Sequence, residues 1–121
     1  MPIALTVLTI TDPPGQLRVA CNLVFTGSYP TGGDTLDLTT IIGASHLSKV
    51  AVFNALPVDV DVALGGGFDG EFLAGSALNN GKLKLFSSGG TEVSAGTYAA
   101  NAALLAASLN NTVEFVFDKL L

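Results

Sequence analysis

The sequence predicts a mainly β protein: a single-domain antiparallel β-sandwich or β-barrel-like fold with one or two short helices. Three observations lead to this prediction. About seven segments rich in Val, Ile, Leu, Thr and Phe follow one another at short spacing, several of them alternate apolar and polar residues, and turn residues separate them. The length of 121 residues fits one domain, and neither a repeat nor a linker divides the chain, so we expect residues 1–121 to form a single β domain.

Two strands are expected before residue 26. Residues 3–10, IALTVLTI, are apolar on nearly both faces, so both faces can be covered. A turn at residues 12–15, DPPG, leads to a second strand over residues 17–25, LRVACNLVF. The period of two places five residues on one face: Leu17, Val19, Cys21, Leu23 and Phe25. Cys21 is therefore predicted to be a small core residue, since a reactive thiol needs an electropositive, partly exposed setting.

Residues 25–43, FTGSYPTGGDTLDLTTIIG, are rich in Gly, Ser, Pro and Thr. Turn chemistry is concentrated at residues 29–33, because Pro fixes φ and Gly permits positive φ. Thr35 or Asp37 can cap a short helix over residues 38–42, with Gly43 as its stop. The segment is either a ligand-holding loop or a structural joint between the second strand and this helix.

The middle of the chain carries further strand patterns. Residues 47–54, LSKVAVFN, are strand-like, and residues 58–64, VDVDVAL, alternate, with the Val and Leu side chains on one face and Asp59 and Asp61 on the other. Gly65 to Gly67 predict a flexible turn. Asn79-Asn80-Gly81 between EFLAGSAL and GKLKLF is the best hairpin signal in the chain.

The C-terminal part predicts a loop, a helix and a strand. Residues 87–96 are polar and loop-like, and the Ala-rich residues 99–109 predict one short helix that ends at Asn110-Asn111. Residues 112–120, TVEFVFDKL, predict a closing strand with Val113, Phe115 and Phe117 on one face.

The charge content bears on function. Charged residues make up 12% of the chain, about half of the usual ~25%, which indicates that another chain covers part of the surface. A net charge of −5, with five Lys and Arg residues in total, argues against nucleic-acid binding, which uses such residues to displace counterions. No apolar run approaches the roughly 20 residues that a membrane-spanning helix needs, and the first residues do not have the pattern of a signal peptide.

The residues that could carry chemistry are few. One Cys excludes an intrachain disulfide, and the one His, His46, is predicted to lie in a loop without a catalytic partner. Asp59, Asp61, Asp69 and Glu71 are the best candidates for a cation site, because hard cations such as Ca²⁺ bind several carboxylate oxygens. Solvated strand faces explain these four residues better. We therefore expect no enzyme activity, no cofactor and no resident metal.

Two stretches resemble small head-associated proteins of tailed bacteriophages. The first stretch is LVFTGSYPTGGDTLDL, residues 23–38, together with the strand before it. The second is GKLKLFSSGGTEVSAGT, residues 81–97. The order and spacing of the two stretches agree with those of the family. Residues 58–72 and the long Ala-rich stretch depart from the family pattern. The resemblance implies a virion structural protein: a capsid decoration or cement protein that stabilises the phage head, partners the major capsid protein and forms homo-oligomers, with a trimer favoured.

The resemblance also implies a location on the capsid exterior, after synthesis in the host cytoplasm. On this interpretation residues 25–43 are a joint, and Tyr29 is a candidate contact-surface residue, because Tyr buries area while keeping a polar tip. The alternative for Tyr29 is that it closes the end of the core. The alternative functions are a small ligand- or carbohydrate-binding β-sandwich and a tail- or fibre-associated β domain.

Overall fold

A computed structural model describes residues 3–11, 16–39, 57–77, 79–108 and 110–118 of the chain. Within these ranges the protein is mainly β, with antiparallel strands and two short helices, as the sequence predicts. The strands are β1 (Ile3–Thr11), β2 (Gln16–Phe25), β3 (Ser28–Tyr29), β4 (Asp34–Leu36), β5 (Asp59–Ala63), β6 (Asp69–Leu73), β7 (Gly81–Phe86), β8 (Gly96–Thr97) and β9 (Thr112–Asp118). The helices are α1 (Tyr98–Asn101) and α2 (Ala103–Ala107).

The strands form three antiparallel sheets in a β-sandwich-like arrangement. The first sheet has the order β1-β2-β9-β5, the second has the order β4-β7-β6, and β3 and β8 form a small third sheet. The first two sheets contact each other through their inner faces: the rings of Phe72 and Phe115 lie 6.0 Å apart in an edge-to-face arrangement. A Cβ atom on Gly70 would lie 3.1 Å from Val62, so glycine permits close approach of β5 and β6.

One apolar cluster fills the space between the sheets. The period-two faces predicted for β2 and β9 are confirmed, since Val19, Cys21, Leu23 and Phe25, and Val113, Phe115 and Phe117, are all buried. From the second sheet, Leu36, Leu83 and Leu85 complete the cluster. Alternation in β5 is also confirmed, with Val60 and Val62 half-buried and Asp59 and Asp61 exposed, although Val58 before the strand is 53% exposed.

A β-bulge interrupts the pairing of β1 with β2. Val7 pairs with Cys21 and Thr9 pairs with Ala20, so Leu8 is an extra residue in β1. A bulge bends the strand and increases its twist. As a result Leu8 and Thr9 are both exposed, Leu8 by 56%.

The expected hairpin exists, but its turn is longer than predicted. β6 pairs with β7 from Asp69–Phe86 to Leu73–Lys82, so the first strand ends at Leu73 and not near residue 78. Gly81 belongs to β7, where a Cβ atom would lie 2.8 Å from the ring of Phe72. Asn80 holds the loop instead, because its side chain accepts a hydrogen bond from the Ala77 N–H and donates one to the Ser76 hydroxyl.

Two helix predictions need correction. Thr35 cannot cap a helix because it lies within β4. Asp37 does have the geometry of a cap, since its Oδ1 accepts hydrogen bonds from the N–H and the hydroxyl of Thr39 at 2.9 and 2.6 Å. The Ala-rich helix is split into α1 and α2 at Ala102, and the side chain of Thr97 caps α1. Residues 40–56 lie outside the described residues, as does the turn at residues 12–15. The first of these ranges includes most of the helix predicted over residues 38–42, its expected stop at Gly43, His46, and the predicted strand over residues 47–54.

Candidate interaction surface

The segment around Tyr29 is a joint that is held by hydrogen bonds. The Tyr29 hydroxyl donates to Glu92 Oε2 at 2.8 Å and accepts from the N–H of Leu85 at 3.1 Å. The N–H of Gly32 donates to the same Glu92 oxygen at 2.7 Å. A single carboxylate therefore fixes the turn after β3 to the loop after β7.

Tyr29 itself is only 1% exposed. Its ring packs edge-to-face on that of Tyr98, with 6.1 Å between the centroids. This corrects the expectation that Tyr29 lies on a contact surface: the side chain closes one end of the core. Burial is also the main reason that the pKa of Tyr29 is raised to about 12, with the Glu92 carboxylate adding to the shift.

The second tyrosine of this end of the core binds a buried carboxylate. Tyr98 and Asp34 are 1% and 4% exposed, and the Tyr98 hydroxyl donates to Asp34 Oδ2 at 2.6 Å. Burial and this hydrogen bond raise the pKa of Tyr98, so the phenol stays protonated and remains a donor. The pair ties the start of β4 to the start of α1, and no substrate cavity is needed to explain it.

The backbone conformation at position 33 requires glycine in this turn. Its φ of +120° is a conformation that residues with a Cβ atom rarely adopt, and a Cβ there would lie 3.2 Å from Lys82 Cβ and 3.3 Å from the carbonyl oxygen of Leu83. The predicted turn chemistry of Pro30 to Gly33 is confirmed, with a hydrogen bond from the Gly33 N–H to the Pro30 carbonyl at 3.2 Å.

The four carboxylates considered for a cation site do not lie together. Asp59 and Asp61 are exposed on the outer face of the first sheet, whereas Asp69 and Glu71 are exposed on β6 of the second sheet. Asp61 lies opposite Glu114, and Glu71 lies opposite Lys84. In the described part of the chain no three His, Cys, Asp or Glu side chains are grouped to hold a metal ion.

Cys21 is buried in the core, as predicted. Burial raises the pKa of its thiol to about 11, so the thiol is protonated at neutral pH and is not poised to act as a nucleophile.

The outer face of the first sheet carries Asp59, Asp61 and Glu114 on β5 and β9, and Arg18 on β2. The remaining part of this face, on β1 and β2, has no charged residue apart from Arg18. We name this uncharged part the β1–β2 face. It consists of Ala4, Thr6, Leu8, Thr9, Ala20, Asn22 and Val24. Leu8 and Val24, at 56% and 44% exposure, are two of the four exposed large apolar side chains in the described ranges.

The edge next to this face is incompletely covered. Among the described strands β1 pairs with β2 alone. The core-facing residues Leu5, Val7 and Ile10 of β1 are only partly buried, whereas their partners on β2, Leu23, Cys21 and Val19, are at most 1% exposed. Edge strands in soluble proteins usually carry charges, and β1 carries none.

Several residues that hold the described elements together, or that lie exposed on the β1–β2 face, were missed by sequence reasoning. Asp34 and Glu92 appeared as loop residues, and their partners lie 64 and 63 positions away along the chain. The sequence predicts Asn111 only as a helix stop, yet its buried side chain links three segments. No local signal marks Leu8 as a bulge, although the absence of charge from residues 3–11 was a signal for an unusual edge strand.

Comparison with known proteins identifies no relative. No protein-family model, no curated protein and no solved structure matches this chain. Among the described residues, no helix has the length and apolar character required to cross a membrane.

Proposed function

We propose that this chain is a non-enzymatic virion structural protein, a decoration or cement protein that binds and stabilises the head of a tailed bacteriophage. It acts on the capsid exterior, its partner is the major capsid protein, and it works as a homo-oligomer, with a trimer favoured by the family resemblance. The observation that carries the proposal is the uncharged, exposed β1–β2 face on a chain with 12% charged residues.

The physical basis of this function is contact area. Burying exposed apolar surface contributes about 25 cal/mol per Å², so each small contact is weak. A closed oligomer that touches several capsid subunits at once converts weak contacts into tight binding, because the second and third contacts form intramolecularly. A protein of this kind needs a rigid scaffold and a surface with few charges to desolvate. The hydrogen bonds of Tyr98 to Asp34 and of Tyr29 to Glu92 support the first requirement, and the β1–β2 face supports the second.

The test uses shells assembled from the major capsid protein of the phage that encodes this chain. Purified protein is mixed with empty shells and sedimented, and the melting temperature of the shells is measured with and without the protein. We expect saturable co-sedimentation at a fixed ratio and a higher melting temperature. Saturation without any stabilisation, or no co-sedimentation at all, would overturn the proposal.

The alternative functions give different results in parallel assays. A tail- or fibre-associated domain would co-sediment with purified tails and not with shells. A cation-dependent ligand- or carbohydrate-binding module would show a rise in its own melting temperature with Ca²⁺ or with glycans. The division of Asp59 and Asp61 from Asp69 and Glu71 between two sheets disfavours a Ca²⁺ site, because Ca²⁺ takes six to eight oxygen ligands around one point.

A further inference from the structure

We propose that Asn80 is a site of spontaneous modification, at which attack by the Gly81 backbone nitrogen converts the side-chain amide to a carboxyl group. Two hydrogen bonds in the folded loop between β6 and β7 control the rate of this reaction. The inference does not rest on the proposed function, because it concerns the chemistry of this loop alone.

The sequence assigns the reaction to one position. Asn80-Gly81 is the one Asn-Gly pair in the chain. Glycine has no side chain to hinder the approach of its backbone nitrogen to the preceding side chain, and its backbone adopts conformations that other residues do not. Asn79 and Asn110 are each followed by Asn, so the nitrogen next to them is more hindered. All three asparagines are exposed, so access of water does not distinguish them.

The reaction needs only the chain and water. The Gly81 nitrogen forms a bond to Cγ of Asn80, the bond from Cγ to Nδ2 breaks, and the amide nitrogen leaves as ammonia with the proton from Gly81. Water then opens the resulting succinimide ring at one of its two carbonyl groups. Opening at one carbonyl gives aspartate, and opening at the other gives isoaspartate, in which the main chain runs through the side-chain carbon of residue 80.

The fold uses both residues of this pair. Gly81 is buried at the start of β7, where a Cβ atom would lie 2.8 Å from the Phe72 ring. Asn80 accepts a hydrogen bond from the Ala77 N–H at 2.9 Å and donates one to the Ser76 hydroxyl at 2.8 Å. The hairpin therefore employs a side chain with an acceptor and a donor at position 80 and a residue without a Cβ atom at position 81. The reactive pair is a consequence of how the hairpin is built.

The same two hydrogen bonds oppose the reaction in the folded chain. They hold the amide against Ser76 and Ala77, which precede Asn80, whereas the attacking nitrogen belongs to the residue that follows it. Both partners lie in the same loop, within four residues of Asn80, so the amide is released by local opening. Local opening of a loop costs less free energy than unfolding of the whole chain. The rate is therefore set by release of the amide from its two partners.

The two products affect the hairpin differently. Aspartate keeps an acceptor for the Ala77 N–H, and the Ser76 hydroxyl can donate to the new oxygen, so aspartate fits the loop. Isoaspartate adds a carbon to the main chain directly before β7, next to the pairing of Gly81 with Leu36 on β4, and we expect it to destabilise the start of β7. Either product adds one negative charge to a chain with a net charge of −5.

The experiment incubates the purified chain in mildly alkaline buffer and maps its peptides by mass spectrometry. We expect the mass increase of an amide-to-carboxyl conversion at Asn80, while Asn79 and Asn110 stay intact in the same sample. Isoaspartate is identified in the isolated Asn80 peptide by methylation with an isoaspartyl methyltransferase. Isolation of the peptide separates this signal from any isomer formed at Asp69-Gly70.

Ser76→Ala tests the control by the loop, because it removes the acceptor of the amide and leaves Gly81 unchanged. Loss of one hydrogen bond is expected to raise the rate of conversion at Asn80 by about two- to fivefold. Ser88→Ala changes an exposed serine in the loop after β7 and is the matched control, which should react at the rate of the unmodified chain. Circular dichroism checks that both variants are folded.

Urea supplies a second measurement that needs no variant. The rate at Asn80 in the unmodified chain should rise as urea approaches the unfolding midpoint and should be highest in the unfolded chain, because unfolding breaks both hydrogen bonds of the amide.

Several results would overturn the inference. Asn80 that stays intact for as long as Asn79 and Asn110 would show that it is not a modification site. Aspartate without isoaspartate would indicate direct hydrolysis by water in place of attack by Gly81. Equal rates for folded Ser76→Ala and Ser88→Ala, or for the folded and the urea-unfolded chain, would show that the two hydrogen bonds do not control the reaction.

Discussion

Two carboxylates, Asp34 and Glu92, each accept a hydrogen bond from a buried tyrosine, but their surroundings differ. Asp34 is buried with Tyr98, whereas Glu92 reaches Tyr29 and Gly32 from a partly exposed loop. A buried carboxylate without a hydrogen-bond partner loses its hydration energy without compensation, whereas a partly exposed carboxylate can form hydrogen bonds with water. The two residues therefore stabilise the same end of the core in different ways.

We expect Tyr98→Phe to reduce the free energy of unfolding by about 1–3 kcal/mol, because it leaves the buried Asp34 carboxylate without its donor. Urea denaturation followed by circular dichroism measures the change. The control is a double-mutant cycle with Asp34→Ala: the double variant should lose less stability than the two single variants together. Additive losses would show that the hydrogen bond does not couple the two residues.

Glu92 predicts a dependence of stability on pH. The N–H of Gly32, followed by the Tyr29 hydroxyl, lowers the pKa of Glu92 from its ordinary value of 4.5. Because the folded pKa is the lower one, the stability that Glu92 contributes is present above pH 4.5 and is lost as pH falls through the folded value.

The matched variant for this prediction is Glu92→Gln, which keeps an acceptor oxygen and cannot ionise. Urea midpoints between pH 7 and pH 3 should fall more steeply for the unmodified chain than for the variant, with the two curves converging at low pH. Parallel curves over the whole range would contradict the prediction.

At the residue level, the sequence predicts what depends on local pattern. The buried faces of β2 and β9 follow from the period of two, and Cys21 follows from its place in that period. The local pattern does not predict the hydrogen bonds of Asp34 and Glu92 or the burial of Tyr29, because the partners of these residues are distant along the chain. A polar residue in a loop has the same local pattern whether or not it contacts a partner. The four candidate cation ligands illustrate the same limit, since nearness in sequence placed them together and the sheet topology separates them.

Among the elements, the connection between α2, β9 and the turn after β5 depends on one side chain. Asn111 is 1% exposed, its Oδ1 accepts from the Gly65 N–H at 2.8 Å, and its Nδ2 donates to the carbonyl oxygens of Leu105 and Ser108 at 2.9 and 3.2 Å. Its backbone carbonyl also accepts from the Leu23 N–H on β2. The residue thus satisfies the end of a helix and fixes the entry into the central strand β9.

We expect Asn111→Ala to reduce the free energy of unfolding by about 1–3 kcal/mol, because buried donors and acceptors lose their partners. Asn110→Ala is the matched control: its side chain is exposed, and surface substitutions usually change stability by less than about 0.5 kcal/mol. Urea denaturation of both variants makes the comparison. Equal losses at the two positions would show that the amide does not hold these elements together.

The elements were predicted best where strands are long and worst where pairing is non-local. β1, β2, β5 and β9 are all anticipated by alternation or by apolar runs. β4 is not, because a three-residue strand has no period and exists through its pairing with β7. The hairpin of β6 and β7 was found from Asn-Gly, but its longer loop follows from Asn80 bonding to Ser76 and to the Ala77 N–H, a side-chain preference that the dipeptide signal does not contain.

For the whole molecule, the distribution of charge matters more than its sum. Exposed carboxylates are concentrated on β5 and β6, and β1 has neither acid nor base. The low charge content predicts a covered surface from the sequence alone; the position that we propose for this surface rests on the order of the described strands, in which β1 lies at the edge opposite β5. A chain with this arrangement can associate through one side while its acidic side stays in water.

Salt distinguishes association through the β1–β2 face from association through charged surfaces. Raising the salt concentration from about 0.1 M to 1 M shortens the screening length from ~10 Å to ~3 Å, which weakens ionic contacts between exposed groups. Apolar contacts do not weaken in this way, and excluded salts such as sulfate strengthen burial. Screening also reduces the repulsion between copies that each carry a net charge of −5.

We therefore expect the self-association constant of the purified chain, measured by sedimentation equilibrium, to stay constant or to increase in 1 M NaCl, and to increase further in sodium sulfate. A Leu104→Glu variant, which changes an exposed leucine on α2 outside the β1–β2 face, should follow the same curve. Dissociation in 1 M NaCl would mean that ion pairs, and not Leu8 and its uncharged surroundings, hold the copies together.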